Sequence, residues 1–329
     1  MKHLFLLAFL LAVFCSCESK TEQTVLKLQG HVFGTTYKIV CLNATENYHK
    51  SIDSLFYLVN KSTSTYLSTS DISLINNGDT SVVADSILLE LFAKSKKIHQ
   101  KTNGYFDPTV GNLVNAWGFG PKNEEKDLDS LEVLKQMELV GFDKVQVINQ
   151  KLIKEDPAIY LDFNAIGKGF GIDIVARFLD QQQIENYMIE IGGEIRAKGV
   201  KENNKPWRIQ LQNPVKTDIN EAFTVINLSN NSMATSGNYR KFRIANNGQK
   251  YVHTINPKTG FATESNLLSV SVIAALDCAD VDAYATAFMA MGVEKTKIFL
   301  KKHKEIKAIL IYFDAQQNLA SYSNYDAGL

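Results

Sequence analysis

Apolar positions recur along the chain with two periods, and the switches between them mark out the elements. After residue 24, "VLKLQGHVFGTTYKIVCL" alternates as strands do, broken by a turn at the Gly-Thr-Thr stretch. "HKSIDSLFYLVNKSTS" puts Ile52, Leu55, Phe56 and Val59 on one face of a helix. "DSILLELFAKSKKIHQKTNG" reads as a second helix, stopped by Asn103-Gly104, and "SLEVLKQMELVG" as a short one closed by Gly141. "KVQVINQKLIKE" reads as a hairpin. "AIYLDF" reads as a strand leading into a helix that begins near Gly167 and carries Ile172, Val175, Ala176 and Leu179 in register. "NYMIEIGGEIRAKG", "PWRIQLQNP" and "FTVINLSNNSMATSG" follow as consecutive strands, and "KYVHTINPKTG" runs from a strand into a turn. "LLSVSVIAA" is a strand, "DCADVDAYATAF" a helix, and "VEKTKIFLKKH" and "IKAILIYFD" close the chain as helix and strand. Strands crowd the second half with helices inserted between them. The pattern predicts an α+β fold with a large, mostly antiparallel sheet.

Composition narrows this picture. The chain has 329 residues, 45% hydrophobic and 21% charged, enough for one large domain or two intimate ones. Lys+Arg 35 balance Asp+Glu 35, so no net field draws the protein to nucleic acid. The opening "MKHLFLLAFLLAVFCSC" pairs Lys2 with an apolar run from Leu4 to Phe14, shorter than the about 20 residues that span a bilayer. It reads as a signal peptide over residues 1–16. The ending resembles a relaxed bacterial lipobox, with Ser16 before Cys17. Cleavage before Cys17 and lipidation of its thiol are expected, and ordinary secretion with cleavage nearby is the plainer alternative. Residues 17–24 read as a polar tether to a domain over 25–329. Of the other cysteines, Cys41 and Cys278 have no metal-ligand spacing. Buried free thiols and a single disulfide both fit them.

Five stretches carry candidate chemistry. In "DCADVDAYATAF", Val281, Tyr284, Ala285 and Phe288 form an apolar stripe, while Asp282 and Thr286 lie one turn apart on a polar edge. A carboxylate above a hydroxyl suits a hard cation such as Mg²⁺. Acidic charge favouring the start of a helix, with the Thr bonded back to a carbonyl, accounts for the same residues. "YLDFNAIGKGFGID" is a glycine-rich turn into a helix N-terminus with Lys168 beside it, a place for an anion. It is neither a Walker loop nor GxGxxG, because Gly169 follows Lys168 and Ile172 stands in the third glycine's place. "TNGYFDPTVGNLVNAWGFG" offers Asp107 at a turn and Tyr105, Phe106, Trp117 and Phe119, equally suited to stacking on a flat ring or to a core. "MATSGNYRKF" is a Thr-Ser-Gly turn. In "HTINPKTG", His253 ends a strand, where a histidine can be structural or a general base.

Taken in order, "GTTY", "NGYFDPT" with "WGFG", "LDFNAIGKGFGID", "IGGEI", "ATSGNY", "HTINPKTG" and "ADVDAYATAFMAMG" resemble the ApbE family, the FAD:protein FMN transferases, over roughly residues 28–322. The resemblance implies transfer of FMN from FAD to a Thr or Ser hydroxyl of a partner protein, with a phosphoester-linked flavin as product and AMP leaving. It implies Mg²⁺ held by Asp282, Thr286 and the backbone carbonyl of Ala165. FAD contacts would come from Phe33, Tyr66, Tyr105, Phe106, Asp107, Asp162, Lys168 and Ile255, with His253 as the base. Two positions depart from the family pattern: Phe33 stands where Met is usual, and Asn256 where many relatives have Asp. The implied fold has two packed lobes with FAD in the cleft between them. The implied acceptor is a separate protein with a motif of the form Asp-x-x-Ser/Thr-Gly-Ala-Thr/Ser, such as a membrane electron-transfer subunit. The implied location is the periplasmic face of the inner membrane, through the lipid anchor. A Mg²⁺-dependent FAD pyrophosphatase giving FMN and AMP, or a flavin-binding lipoprotein without catalysis, are the alternatives.

Overall fold

The structure, a computed structural model, describes residues 24–121, 128–216, 221–238, 242–244, 250–262 and 265–326. The expected signal peptide, Cys17 and all of the tether but Thr24 lie outside the described residues. The chain opens with β1 (Val25–Val32) and β2 (Thr35–Leu42), then α1 (His49–Thr63), α2 (Asp71–Asn76), α3 (Ser86–Lys101), α4 (Gly111–Ala116) and α5 (Ser130–Met137). A small hairpin, β3 (Val145–Ile148) and β4 (Lys151–Lys154), precedes α6 (Asn164–Gln181). Then come β5 (Tyr187–Ile191), β6 (Glu194–Lys198), β7 (Trp207–Gln212), β8 (Ala222–Leu228), β9 (Asn231–Gly237), β10 (Phe242–Ile244), β11 (Lys250–Val252) and β12 (Leu267–Ala274). α7 (Cys278–Lys302), β13 (Lys307–Phe313) and β14 (Leu319–Ser323) finish the fold.

Eight strands form one sheet in the order β1-β2-β5-β6-β9-β12-β13-β14. Every neighbouring pair in it is antiparallel, as the α+β reading expects. The first hairpin turns on Phe33 and Gly34, both at positive φ, rather than on the Gly-Thr-Thr stretch. Positive φ at both central residues matches the twist of the flanking strands. α6 and α7 lie in the middle of the fold. Ile172, Val175, Ala176 and Leu179 of α6 pack with β1, β2 and β5. The first half of α7 packs on Val270 and Val272 of β12, and on Leu88 and Leu91 of α3.

Four expectations change. "AIYLDF" forms no strand. Its backbone is satisfied by side chains instead: Asn76 exchanges two hydrogen bonds of 2.8 Å with Leu161, and Asn112 accepts the Tyr160 N–H at 2.7 Å. α6 starts at Asn164, so Gly167, Gly169 and Gly171 lie inside the helix and not in a turn before it. α7 runs to Lys302 with a break at Gly292 (φ 75°, ψ 178°), which joins the two expected helices end to end. Asp282 is not on an exposed edge; it is 2% exposed, because α7 is covered on nearly every side. Cys41 and Cys278 are free and buried.

Candidate functional site

The site is built where α6 and α7 touch. A Cβ added at Gly169 would lie 2.3 Å from the Cys278 carbonyl oxygen and 2.7 Å from the Ala279 nitrogen, so only glycine permits this approach. One turn along α6, buried Asp173 accepts the N–H groups of Cys278 and Ala279, both at 2.8 Å. It thereby satisfies two of the free donors at the start of α7. Arg196 of β6 joins Asp173 at 2.6 Å and Asp277 at 2.9 Å. Burial, and then the charge of Asp277, pushes the Asp173 carboxyl up to about 6.

The three aspartates at the start of α7, Asp277 just before it and Asp280 and Asp282 within it, differ in their partners. Asp277 binds Lys94 and Arg196, and Asp280 lies near Lys94 and Lys97. Asp282 alone turns toward α6, where its Oδ2 accepts the Gly169 N–H at 3.1 Å. In a regular helix that N–H belongs to the carbonyl four residues back, which is Ala165. The Asp282 carboxylate is thereby brought to the first turns of α6, where Ala165 lies. Thr286, a turn further along α7, has its hydroxyl 3.3 Å from that of Ser236 on β9. Lys168 adds its ammonium, 3.5 Å from Glu194 Oε2 at the start of β6 and in the field of Asp282. Burial opposes the charge on Lys168, but the two carboxylates outweigh it and hold its pKa above the usual lysine value. Burial pushes Glu194 up to about 8 against the pull of Lys168, and raises Asp282 as well.

The same end of β9 carries the His253 segment. Asn238, just past β9, accepts the Thr254 hydroxyl at 2.9 Å, next to half-buried His253. A cavity of about 180 Å³ opens there, lined by Asn238, Thr254, Asn256, Met289 and Lys295 among others. Lys295 reaches Tyr105, bonding its hydroxyl and lying 5.0 Å from its ring centroid. On the other side of the α6 N-terminus, exposed Tyr66 and half-buried Tyr160 lie in the field of Asp162, which accepts the Asn164 N–H at 2.7 Å.

The remaining expected residues are packed more deeply. Phe106 is a core residue, and buried Asp107 is occupied by Thr109, the Phe142 N–H and His99. Ile255 sits among Leu113, Trp117, Val133 and Ala262. Phe33 packs edge-on against Phe56, in space left by Gly171. Sequence reading assigned no role to Glu194, Tyr160 or Asp173. For Glu194 the sequence carries no distinguishing signal, because Glu190 stands in the same hairpin, "MIEIGGEI".

Among the described residues, no group of three or more His, Cys, Asp or Glu could hold a metal. One carboxylate, one hydroxyl and one carbonyl are all hard oxygen donors. That set fits Mg²⁺, which keeps several waters and takes substrate phosphate in its remaining positions.

The ApbE family model matches residues 33–310, most of the chain. The chain belongs to the ApbE family. It is 34% identical over 313 residues to a FAD:protein FMN transferase of Haemophilus influenzae, covering 91% of this chain and 89% of that one. It is 35% identical over 293 residues to one of Vibrio cholerae, covering 87% and 86%. Its fold matches the flavin transferase ApbE structure from Vibrio cholerae with a TM-score of 0.81 at 32% identity, over 93% of this chain and 99% of that chain. The apo flavinyl transferase ApbE of Pseudomonas stutzeri matches with a TM-score of 0.82 at 27% identity, over 92% and 95%. The span of the ApbE match contains every expected site residue from Phe33 to Thr286, and Cys17 lies before it.

Proposed function

We propose that the protein is a FAD:protein FMN transferase, using FAD as the flavin donor and a Thr or Ser hydroxyl of a separate protein as acceptor. The observation that carries the reading is the Asp282 carboxylate bonded to the Gly169 N–H in the first turns of α6, with Lys168 alongside, in an ApbE chain. The acceptor oxygen attacks the FMN phosphorus of the pyrophosphate, the bond to the AMP oxygen breaks, and AMP leaves. His253 takes the proton from the attacking hydroxyl. Lys168 offsets the negative charge that resists the attack. Asp282, Thr286 and the Ala165 carbonyl would hold Mg²⁺, whose contribution is to neutralise pyrophosphate charge.

FAD would lie along the cleft, with Tyr66, Tyr160 and Asp162 at one end and Tyr105 with Lys295 at the other. Phe106, Asp107 and Ile255 would meet it through their backbone, since their side chains are committed to packing and turns. Phe33 would shape the wall between α1 and α6. The acceptor carries the Asp-x-x-Ser/Thr-Gly-Ala-Thr/Ser motif and is a membrane electron-transfer subunit. The protein works at the periplasmic face of the inner membrane, anchored through Cys17, with residues 1–16 removed and 17–24 as tether.

Two variants test the site. Asp282→Ala should abolish Mg²⁺-dependent flavinylation at every Mg²⁺ concentration while FAD-free protein stays folded. His253→Ala should bind FAD as wild type does and lose about 10²–10⁴-fold in transfer rate. Wild-type turnover in the first, or collapsed FAD affinity with a normal rate at saturation in the second, would remove those assignments.

A further inference from the structure

Glu194 is 3% exposed, and its Oε2 makes no hydrogen bond among the described residues. A buried carboxylate with one oxygen left without a hydrogen bond is expensive and calls for a function. Its neighbours are Lys168, 3.5 Å away, and the carboxylate of Asp282, whose negative charge repels its own while Lys168 attracts both. One lysine therefore stands between two buried carboxylates. The tip of the β5–β6 hairpin fixes which one it faces: Gly192 (φ +60°) lies against the Lys168 stem, with its missing Cβ 3.4 Å from Lys168 Cδ.

Asp282 uses Oδ2 for the Gly169 N–H, and its Oδ1 takes no hydrogen bond among the described residues. That free oxygen is the one a cation would use. An ammonium swung onto it would compete directly with the metal. We propose that Glu194 is a positioning residue, which holds Lys168 off Asp282 and so keeps that carboxylate open to a divalent cation. The inference rests on the reading of Asp282 as a metal ligand. An opposite charge within hydrogen-bonding range changes a carboxylate's proton affinity by about one to three orders of magnitude, and its cation affinity is subject to the same field.

The test is Mn²⁺ binding to the purified full-length protein in detergent at about pH 9, above the value to which burial raises Glu194 so that its carboxylate is charged, read by electron paramagnetic resonance without FAD or acceptor. Glu194→Gln keeps the shape of the side chain and removes its charge, and should weaken Mn²⁺ by about tenfold or more. Adding Lys168→Met to Glu194→Gln should restore binding to near the wild-type level, because the competing ammonium is gone. Lys168→Met alone should bind Mn²⁺ at least as well as wild type, which keeps the test decisive if Glu194→Gln fails to fold. Asp282→Ala should lose this binding in every background. Wild-type affinity in Glu194→Gln, weak binding that persists in the double variant, or weakened binding in Lys168→Met would each overturn the inference while leaving the metal at Asp282. Undiminished Mn²⁺ binding in Asp282→Ala would overturn the metal assignment, and the role of Glu194 with it.

Discussion

Gly169→Ala is the smallest change that should damage the site without touching any of its functional side chains. The added carbon would start 2.3 Å from the Cys278 carbonyl oxygen and 2.6 Å from its carbon. Both are backbone atoms, so no side chain can rotate away. Reaching even a tight 3.0 Å contact requires α6 and α7 to part by about 0.7 Å, within the range where overpacking costs about 1–3 kcal/mol. At about 2–4 °C per kcal/mol, the melting temperature should fall by roughly 2–12 °C. Parting the helices also carries Asp282 away from Ala165, and a misplacement near 1 Å costs about 10²-fold in rate. Gly167→Ala is the matched control. It lies half a turn away in the same helix, and nothing within 4 Å meets its Cβ. Replacing a helical glycine there should stabilise by about 0.5–1 kcal/mol. Thermal melts of both variants, with a flavinylation time course for Gly169→Ala, make the assay. A Gly169→Ala protein that melts with Gly167→Ala and transfers FMN at the wild-type rate would refute the argument that this contact sets the site.

Other outcomes follow from the burial pattern and the leader. Glu194 is raised from its ordinary 4.5 to about 8, so the folded state holds more protons than the unfolded chain between those values. Its stabilising contribution is present below the lower value and lost as pH rises through the upper one. The melting temperature of metal-free wild type should therefore fall more between about pH 5 and pH 8 than that of Glu194→Gln, and parallel pH profiles would contradict the burial argument. Cys41 and Cys278 are free and buried, and burial pushes the Cys41 thiol up to about 12, so both should react with a thiol reagent only after denaturation. Rapid labelling of the native protein would count against that. Cys17→Ala should leave unprocessed or soluble protein, and unchanged membrane retention would exclude lipidation at that residue.

The sheet was readable because its strands alternate and their turns are marked by glycine, as at Gly192-Gly193. The "AIYLDF" segment misled because β-branched and aromatic residues satisfy the strand pattern, while the amides that replace the ladder come from Asn76 and Asn112, 85 and 48 positions away. β14 was not anticipated: "NLASYS" is short and polar, and only its pairing with β13 makes it a strand. The shared helix face of Asp282 and Thr286 was legible in their spacing, but the depth of Asp282 was not, since it depends on α3, α6 and the sheet closing around α7. Glu194 was hidden for the same reason. Its charge becomes significant only when the hairpin folds its tip onto Lys168.

The central claim is that FMN, and not merely the pyrophosphate bond, is what the protein handles. Incubating it with FAD, Mg²⁺ and an acceptor bearing the Asp-x-x-Ser/Thr-Gly-Ala-Thr/Ser motif, then measuring the acceptor's intact mass alongside released AMP, tests this directly. Transfer gives one covalently bound FMN on the acceptor hydroxyl for each AMP released, and none when the acceptor's Ser or Thr is replaced by Ala. Free FMN and AMP in equal amounts, with the acceptor's mass unchanged, would contradict it and make the protein a pyrophosphatase.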